Sequence, residues 1–335
     1  MTATAMDAVT RIAITGANGF VGRTLSRTLL QQGASVTGVV RASGSCEAGV
    51  DVIRIGAREF ADSAATAQLE EAFRGCKTVV HLAARVHMFD DTAADPLAAF
   101  RVTNVEGSLR VAEAAQRAGA RRLVFMSSIK ALAESDSGRP LKESDVRRPM
   151  DAYGVSKAEA EAALLEFGAS SGLEIVILRP PLVYGPQVRA NFLRLLDLIA
   201  KGVPLPIGAV SARRSLCFVD NLASATALCA IHPMAAGNMF HVSDGEDPTV
   251  SQLARMLGKH LGRPARLLRV PVSLLEFGGR LMGRTSEIER LTKSLQLDCS
   301  HIRDVLKWQP PVLLDVGLAA TADWYRSQHR NMRIA

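Results

Sequence analysis

The chain has 335 residues, 48% of them apolar but only 5% aromatic, and 40 basic against 33 acidic residues give a formal charge of +7, so a large aliphatic core with a smaller second lobe is expected. No run reaches the 18 apolar residues of a membrane span, and a first strand near Arg11 leaves no room for a signal peptide, which points to the cytoplasm. Five scattered cysteines without a C-x-x-C pair or a His/Cys cluster indicate neither a disulfide framework nor a zinc site, so no metal is expected, and dispersed basic pairs without aromatic interleaving argue against nucleic acid as a partner.

The first element is RIAIT at 11–15, a β-branched strand that runs into Gly16, Gly19 and Gly22 and then into a helical pattern. Val21, Leu25 and Leu29 recur every four residues, and Gly33 stops the helix. A glycine turn feeding a helix N-terminus aims backbone N–H groups and the helix dipole at an anion such as a pyrophosphate. The next strand, SVTGVV at 35–40, ends on Arg41. Further strand-like runs follow at DVIRI (51–55), TVVHLA (78–83), RRLVFMSS (121–128) and EIVILRP (174–180). Alanine-rich stretches near 61–67 and 112–120 read as closely packing helix surfaces.

This alternation predicts an α/β fold, a doubly wound parallel sheet wrapped by helices, and continuous apolar runs such as LVFM and IVIL predict a sheet covered on both faces. After Pro180–Pro181 the texture changes to prolines and glycines between short elements, the composition of a smaller C-terminal lobe. A helix is expected from about Val250 to Leu261, then a strand at ARLLRVP (265–271) and closing helical patterns. The expected division gives 10–180 plus about 215–242 to the sheet domain, and 181–214 with 243–330 to the lobe, with a cleft between them.

In DAYGVSKAEAEAALLEF, Tyr153 and Lys157 stand four apart on one helical face. A lysine cation favours the phenolate of a neighbouring tyrosine, whose reference pKa is about 10, and such a tyrosine can exchange a proton with a substrate hydroxyl. Ser127 and Ser128 end a strand at the carboxyl edge of the sheet, where α/β ligands bind.

TGANGFVG, HLAA at 81–84, NVEG at 104–107, MSS at 126–128 and YGVSK at 153–157, in that order, resemble the extended short-chain dehydrogenase/reductase family, in its nucleotide-sugar 4-epimerase and 4-reductase branch. The likeness continues through LRPPLVYGP, RRSLCFVDNLASA and LKWQPP. It implies a Rossmann domain with a substrate-binding lobe, and NAD or NADP held by Gly16, Gly19, Phe20, Val21, Gly22, Arg41, Leu82, Ala83, Ala84, Asn104, Tyr153 and Lys157. Ser128, Tyr153 and Lys157 are then the catalytic set, with Ser128 matching better than Ser127. Ser128, Tyr153, Asn191 and Arg214, or Arg213 beside it, take a UDP-sugar, while His81 is structural.

The reaction implied is hydride transfer at C4 of a UDP-linked sugar in bacterial polysaccharide (lipopolysaccharide-type) synthesis, with a homodimer formed through a four-helix interface. The first reading is a dehydrogenase or 4-reductase interconverting a UDP-4-keto-6-deoxy-N-acetylhexosamine and its 4-hydroxy product. The second is a UDP-glucose or UDP-N-acetylglucosamine 4-epimerase that holds NAD tightly. A third, a non-catalytic dinucleotide sensor, is disfavoured by the retained Ser128, Tyr153 and Lys157. Two departures from the family pattern bear on the cofactor. The acid that binds the adenine ribose falls at Val40 with Arg41 next, which favours a 2'-phosphate, and a glycine, Gly56, stands where an Asp often lies by the adenine.

Overall fold

The computed structural model describes residues 10–41, 44–56, 60, 62, 65–86 and 95–331. Seven strands, β1 (Arg11–Thr15), β2 (Ser35–Val40), β3 (Asp51–Arg54), β4 (Thr78–His81), β5 (Arg122–Met126), β6 (Glu174–Arg179) and β9 (Met239–His241), form one sheet in the order β3-β2-β1-β4-β5-β6-β9. Every pairing in it is parallel. The chain winds outward from β1 to β3, then crosses back to β4, so the order reverses between β1 and β4. In such sheets that reversal opens a crevice at the carboxyl ends of the strands.

Two layers of helix cover the sheet, as the unbroken apolar strands require. On one side α1 (Phe20–Gln31) and α7 (Val219–Ile231) close a core around Ile12, Ile14, Val80, Val124 and Val176. On the other, α2 (Ala65–Phe73), α4 (Gly107–Arg117) and α5 (Ala152–Ser171) accompany Ala13, Val79, Leu123 and Phe125, and α3 (Pro96–Arg101) lies against α5. A π-helical turn, Val102–Glu106, joins α3 to α4 without a break. The alanine-rich stretches behave as expected where they are described: α2 begins at Ala65, while residues 61, 63 and 64 lie outside the described residues.

A third apolar cluster gathers α6 (Ala190–Lys201), α8 (Val250–His260) and α12 (Leu314–Asn331) around Phe192, Leu196, Leu257 and Leu318. Between α8 and α12 lie α9 (Val272–Leu281), α10 (Thr285–Thr292) and α11 (Ser300–Leu306). Strands β7 (Leu182–Tyr184) and β8 (Leu216–Phe218) pair beside this cluster. A buried polar knot centres on Asp244, which accepts hydrogen bonds from Tyr184 Oη at 2.8 Å, Phe218 N at 2.7 Å and Asn221 Nδ2 at 2.8 Å. The expected strand at 265–271 does not form. Only Leu267 bridges Leu205, and Pro264 and Pro271, which have no N–H to donate, bracket the segment and stop a ladder from growing.

Candidate active site

The crevice at the strand-order reversal is shaped by glycines. The chain leaves β1 through Gly16 at φ +73°, and a Cβ there would lie 3.0 Å from Ala83 N. A Cβ on Gly22 would stand 2.2 Å from Gly16 O and 2.8 Å from Ala17 Cα, both backbone atoms that cannot yield. Gly22 therefore serves to seat α1 against the turn. The first turn of α1 carries no acid, so its free N–H groups and positive dipole end are uncompensated. Phe20 and Val21 turn their side chains into the apolar clusters, leaving their backbone to face the turn.

A cavity of about 580 Å³ opens there, lined by Gly16, Asn18, Gly19, Val40, Arg41, Gly56, Phe60, Leu82, Ala83 and Ala84. Its glycine floor and helix N-terminus fit the diphosphate of a dinucleotide. None of the lining residues among those described is an acid. The Arg41 guanidinium lies over the Phe60 ring, 5.3 Å from its centroid. Asn18 and Phe60 were not singled out from the sequence; a lone aromatic far from the glycine motif gives no signal until the fold brings it to Arg41.

One strand further along, α5 starts on Asp151, whose Oδ1 caps Gly154 N at 2.7 Å, and the helix carries Tyr153 and Lys157 on one side. The Tyr153 hydroxyl lies beside Ser128, whose Oγ accepts from Lys130 N at 3.2 Å. Phe100 of α3 packs edge-on against the Tyr153 ring, with centroids 6.0 Å apart. Burial first, and then the Asp151 charge, push the Tyr153 hydroxyl up to about 12, while the neighbouring Ser128 hydroxyl pulls the other way. Lys157 Nζ donates to Met126 O at 2.8 Å and sits 4.4 Å from the Phe125 ring centroid. Burial brings Lys157 down to about 7, partly opposed by Glu161. The lysine is thus occupied by the β5 backbone and aromatic face, and the forces acting on Tyr153 do not produce the lysine-driven lowering expected from the spacing alone.

Ser127 points away from Ser128. Its Oγ donates to Glu161 Oε1 at 2.6 Å, and Glu161 is a fully buried carboxylate that also receives Arg179 Nε at 2.8 Å, Arg179 Nη2 at 2.5 Å and Arg147 Nη2 at 3.1 Å. This cluster ties α5 to the ends of β5 and β6. A second strut links β1 to the π-helical turn. Ser108 Oγ donates to Asn104 O at 2.6 Å, so His81 Nε2 must carry the proton it donates to Ser108 at 3.0 Å. Its Nδ1 then accepts from Thr15 Oγ1 at 2.6 Å. Burial, with the Lys157 and Arg41 charges behind it, keeps His81 neutral by lowering it to about 3. Asn104 is anchored through its side chain, accepting from Arg85 N at 2.9 Å and donating to Arg85 O at 3.1 Å and Ser156 Oγ at 3.0 Å.

Of the two neighbouring arginines, Arg214 reaches inward. Its Nη2 is buried with no hydrogen-bond partner, and burial lowers the guanidinium to about 10, against the pull of Asp136 and Glu134. Arg213 is exposed and donates to Asp247 O at 3.0 Å. The two part ways because Arg213 bridges Thr249 while Arg214 bridges Leu295 on the other side. Near Arg214, Arg290 of α10 pairs with Glu134 at 2.7 Å and Asp151 at 3.4 Å, two residues before Tyr153. No sequence motif marked Arg290. Asn191 is exposed on the first turn of α6 and is not brought against Tyr153 by any described contact.

Residues 12–243 match the model of the family described as the NAD dependent epimerase/dehydratase family. A Vibrio cholerae UDP-glucose 4-epimerase is 38% identical over 314 residues, covering 93% of this chain and 94% of that protein. Among solved structures, the UDP-glucose 4-epimerase of Thermotoga maritima with UDP-glucose superposes with a TM-score of 0.76 at 23% identity, over 95% of this chain and 99% of its own. The Bordetella bronchiseptica enzyme WbmG in complex with NAD and UDP gives 0.73 at 24%, over 94% of each chain. At those identities the structural likeness concerns the fold.

Proposed function

The chain belongs to the NAD dependent epimerase/dehydratase family and is an NAD-dependent enzyme, and from that premise we propose that it works at C4 of a UDP-linked sugar as a 4-epimerase. One observation carries the reading. Tyr153 lies beside Ser128 at the carboxyl end of β5, where Lys157 donates to Met126 O, and the same chain supplies a glycine-floored cavity and Arg214, whose Nη2 is buried with no hydrogen-bond partner. An arginine with a buried, unpartnered Nη2 suits a diphosphate, which arginine geometry binds with charge-assisted hydrogen bonds. The Vibrio cholerae relative supports the epimerase reading.

Gly16, Gly19 and the first turn of α1 would hold the dinucleotide diphosphate, with Leu82, Ala83 and Ala84 along the other wall. The nicotinamide, when bound, exchanges the hydride with the sugar carbon. Ser128 holds the sugar oxygen beside Tyr153, and Tyr153 takes the hydroxyl proton in one direction and returns it in the other. Residues 10–180 with about 215–242 serve the cofactor, and 181–214 with 243–330 the sugar nucleotide.

A second reading rests on Arg41. With no acid among the described lining residues and a guanidinium at the end of β2, the site suits a 2'-phosphate, which favours net reduction of a UDP-4-keto-6-deoxy-N-acetylhexosamine. The test is incubation of the pure protein with UDP-glucose and UDP-N-acetylglucosamine without added cofactor. Appearance of the C4 epimer supports the epimerase reading. Conversion of a 4-keto sugar only with stoichiometric loss of NADPH, and a loss of NADPH preference in Arg41→Ala, supports the reductase reading. No turnover of any UDP-sugar under either condition refutes both.

A further inference from the structure

Helix α9 has two apolar sides. At about 100° per residue, Val272, Leu275 and Gly279 fall together. Val272 and Leu275 pack on the α6–α8–α12 core, and Gly279 is buried so close to Ile288 of α10 that a Cβ would lie 2.6 Å from its Cγ1. On the opposite side Leu274, Phe277 and Leu281 lie within an arc of about 60°. They are 59%, 59% and 73% exposed, and Met282, just past the helix, is 66% exposed. Exposed apolar residues scattered singly are ordinary, but a cluster on one stripe marks a contact surface.

The rim of this stripe is cationic. Arg280 on the helix and Arg284 just past it are exposed, as are Arg266 and Arg269 on the segment that leads into α9. Residues 263–293 hold seven basic and three acidic side chains, a net +4 out of the chain's +7. Of the acids, Glu289 is held by Lys293 at 2.9 Å, Glu287 stands 3.7 Å from Arg284, and Glu276 is half-buried. A ten-residue helix is about 15 Å long, and one stripe of it falls far short of the roughly 800 Å² each partner of a stable protein complex buries. A narrow apolar stripe flanked by arginines matches a helix lying in a membrane interface instead, where the stripe enters the headgroup boundary and the cations meet anionic lipid.

We infer that the α9–α10 hairpin docks this enzyme on an anionic phospholipid surface, with Leu274, Phe277, Leu281 and Met282 inserted and Arg266, Arg269, Arg280 and Arg284 on the headgroups. None of the described helices is long and apolar enough to cross a membrane, so the attachment is peripheral. The far side of the hairpin reaches the catalytic helix through Arg290 and Asp151, which brings the chemistry close to the lipid surface. The inference holds whichever sugar is turned over.

The experiment is cosedimentation of the full chain with vesicles of equal parts phosphatidylcholine and phosphatidylglycerol, against pure phosphatidylcholine. Binding to the anionic vesicles that weakens with salt is expected. Leu274→Ser/Phe277→Ser and Arg280→Glu/Arg284→Glu should each lower vesicle affinity about tenfold or more, with the thermal midpoint and nicotinamide binding of the wild type. No binding, equal binding to neutral vesicles, or binding untouched by either double variant overturns the inference. So does analytical ultracentrifugation showing that the wild type self-associates and Leu274→Ser/Phe277→Ser does not, since the stripe would then be covered by a second copy.

Discussion

Replacing Glu161 by Gln keeps the side chain's shape and removes its charge from a site where Arg179 is 1% exposed and Glu161 fully buried. Gln Oε1 can still accept from Ser127 Oγ and Arg179 Nε. Its amide N–H groups, however, face Arg179 Nη2 and Arg147 Nη2, which are donors themselves, so donor meets donor where carboxylate met guanidinium. Breaking a buried pair from one side costs about 3–5 kcal/mol. With an unfolding entropy of about 2.1 cal/mol/K per residue, the 335 residues give roughly 0.7 kcal/mol/K, so the midpoint should fall by about 4–7 °C. Scanning calorimetry at neutral pH reads this directly, and Glu161→Gln/Arg179→Met should recover most of the loss, because the stranded cation is gone. A single variant within about 1 °C of wild type, or a double variant less stable than the single, would refute the assignment of this cluster as the tie between α5 and the two strands.

Tyr153→Phe should cut turnover by about 10²–10⁴ while leaving nicotinamide binding intact by fluorescence titration. Arg214→Ala should raise the KM for the sugar nucleotide about 10- to 100-fold with little change in kcat, the loss of a charge-assisted contact. Arg213→Ala, which removes an exposed side chain, should change neither by more than about twofold. His81 is held near 3 in the fold against 6.5 when unfolded. Between those values the unfolded chain takes up a proton that the folded one refuses, so stability is lost as pH falls through that window, by about 1.4 kcal/mol per pH unit for a full proton. Urea midpoints measured from pH 7 downward should therefore decline less steeply in His81→Gln than in wild type.

The sheet was largely legible because its strands are apolar on both faces. β1, β2 and β6 begin where the β-branched runs begin, and the glycine turn and the Tyr153 helix stand where the local pattern puts them. The segment 265–271 misled because apolar composition says nothing about whether a partner strand lies alongside, and its bracketing prolines decided the matter. Partners far apart in sequence were not legible at all. The pairing of Glu161 with Arg179 and Arg147, of Arg290 with Asp151, and of Arg41 with Phe60 depends on how α5, α10 and the segment after β3 are laid over the sheet. The choice between Arg213 and Arg214 turned on a one-residue difference in bridging partner, which the dipeptide itself cannot reveal.

The π-helical turn at Val102–Glu106 acts as a gear change between two helices that must face different ways. Upstream, α3 is indexed to the tyrosine, with Phe100 set against the Tyr153 ring. Downstream, α4 is indexed to the sheet, burying Val111, Ala112, Ala114 and Ala115. Deleting one residue from the turn would restore the regular pitch and rotate one helix about 100° against the other. Either Phe100 would leave the tyrosine or the alanine face would leave the core. Because the offset is absorbed within five residues, the covering of the tyrosine can be altered by substitution in α3 while the sheet's packing stays as it is.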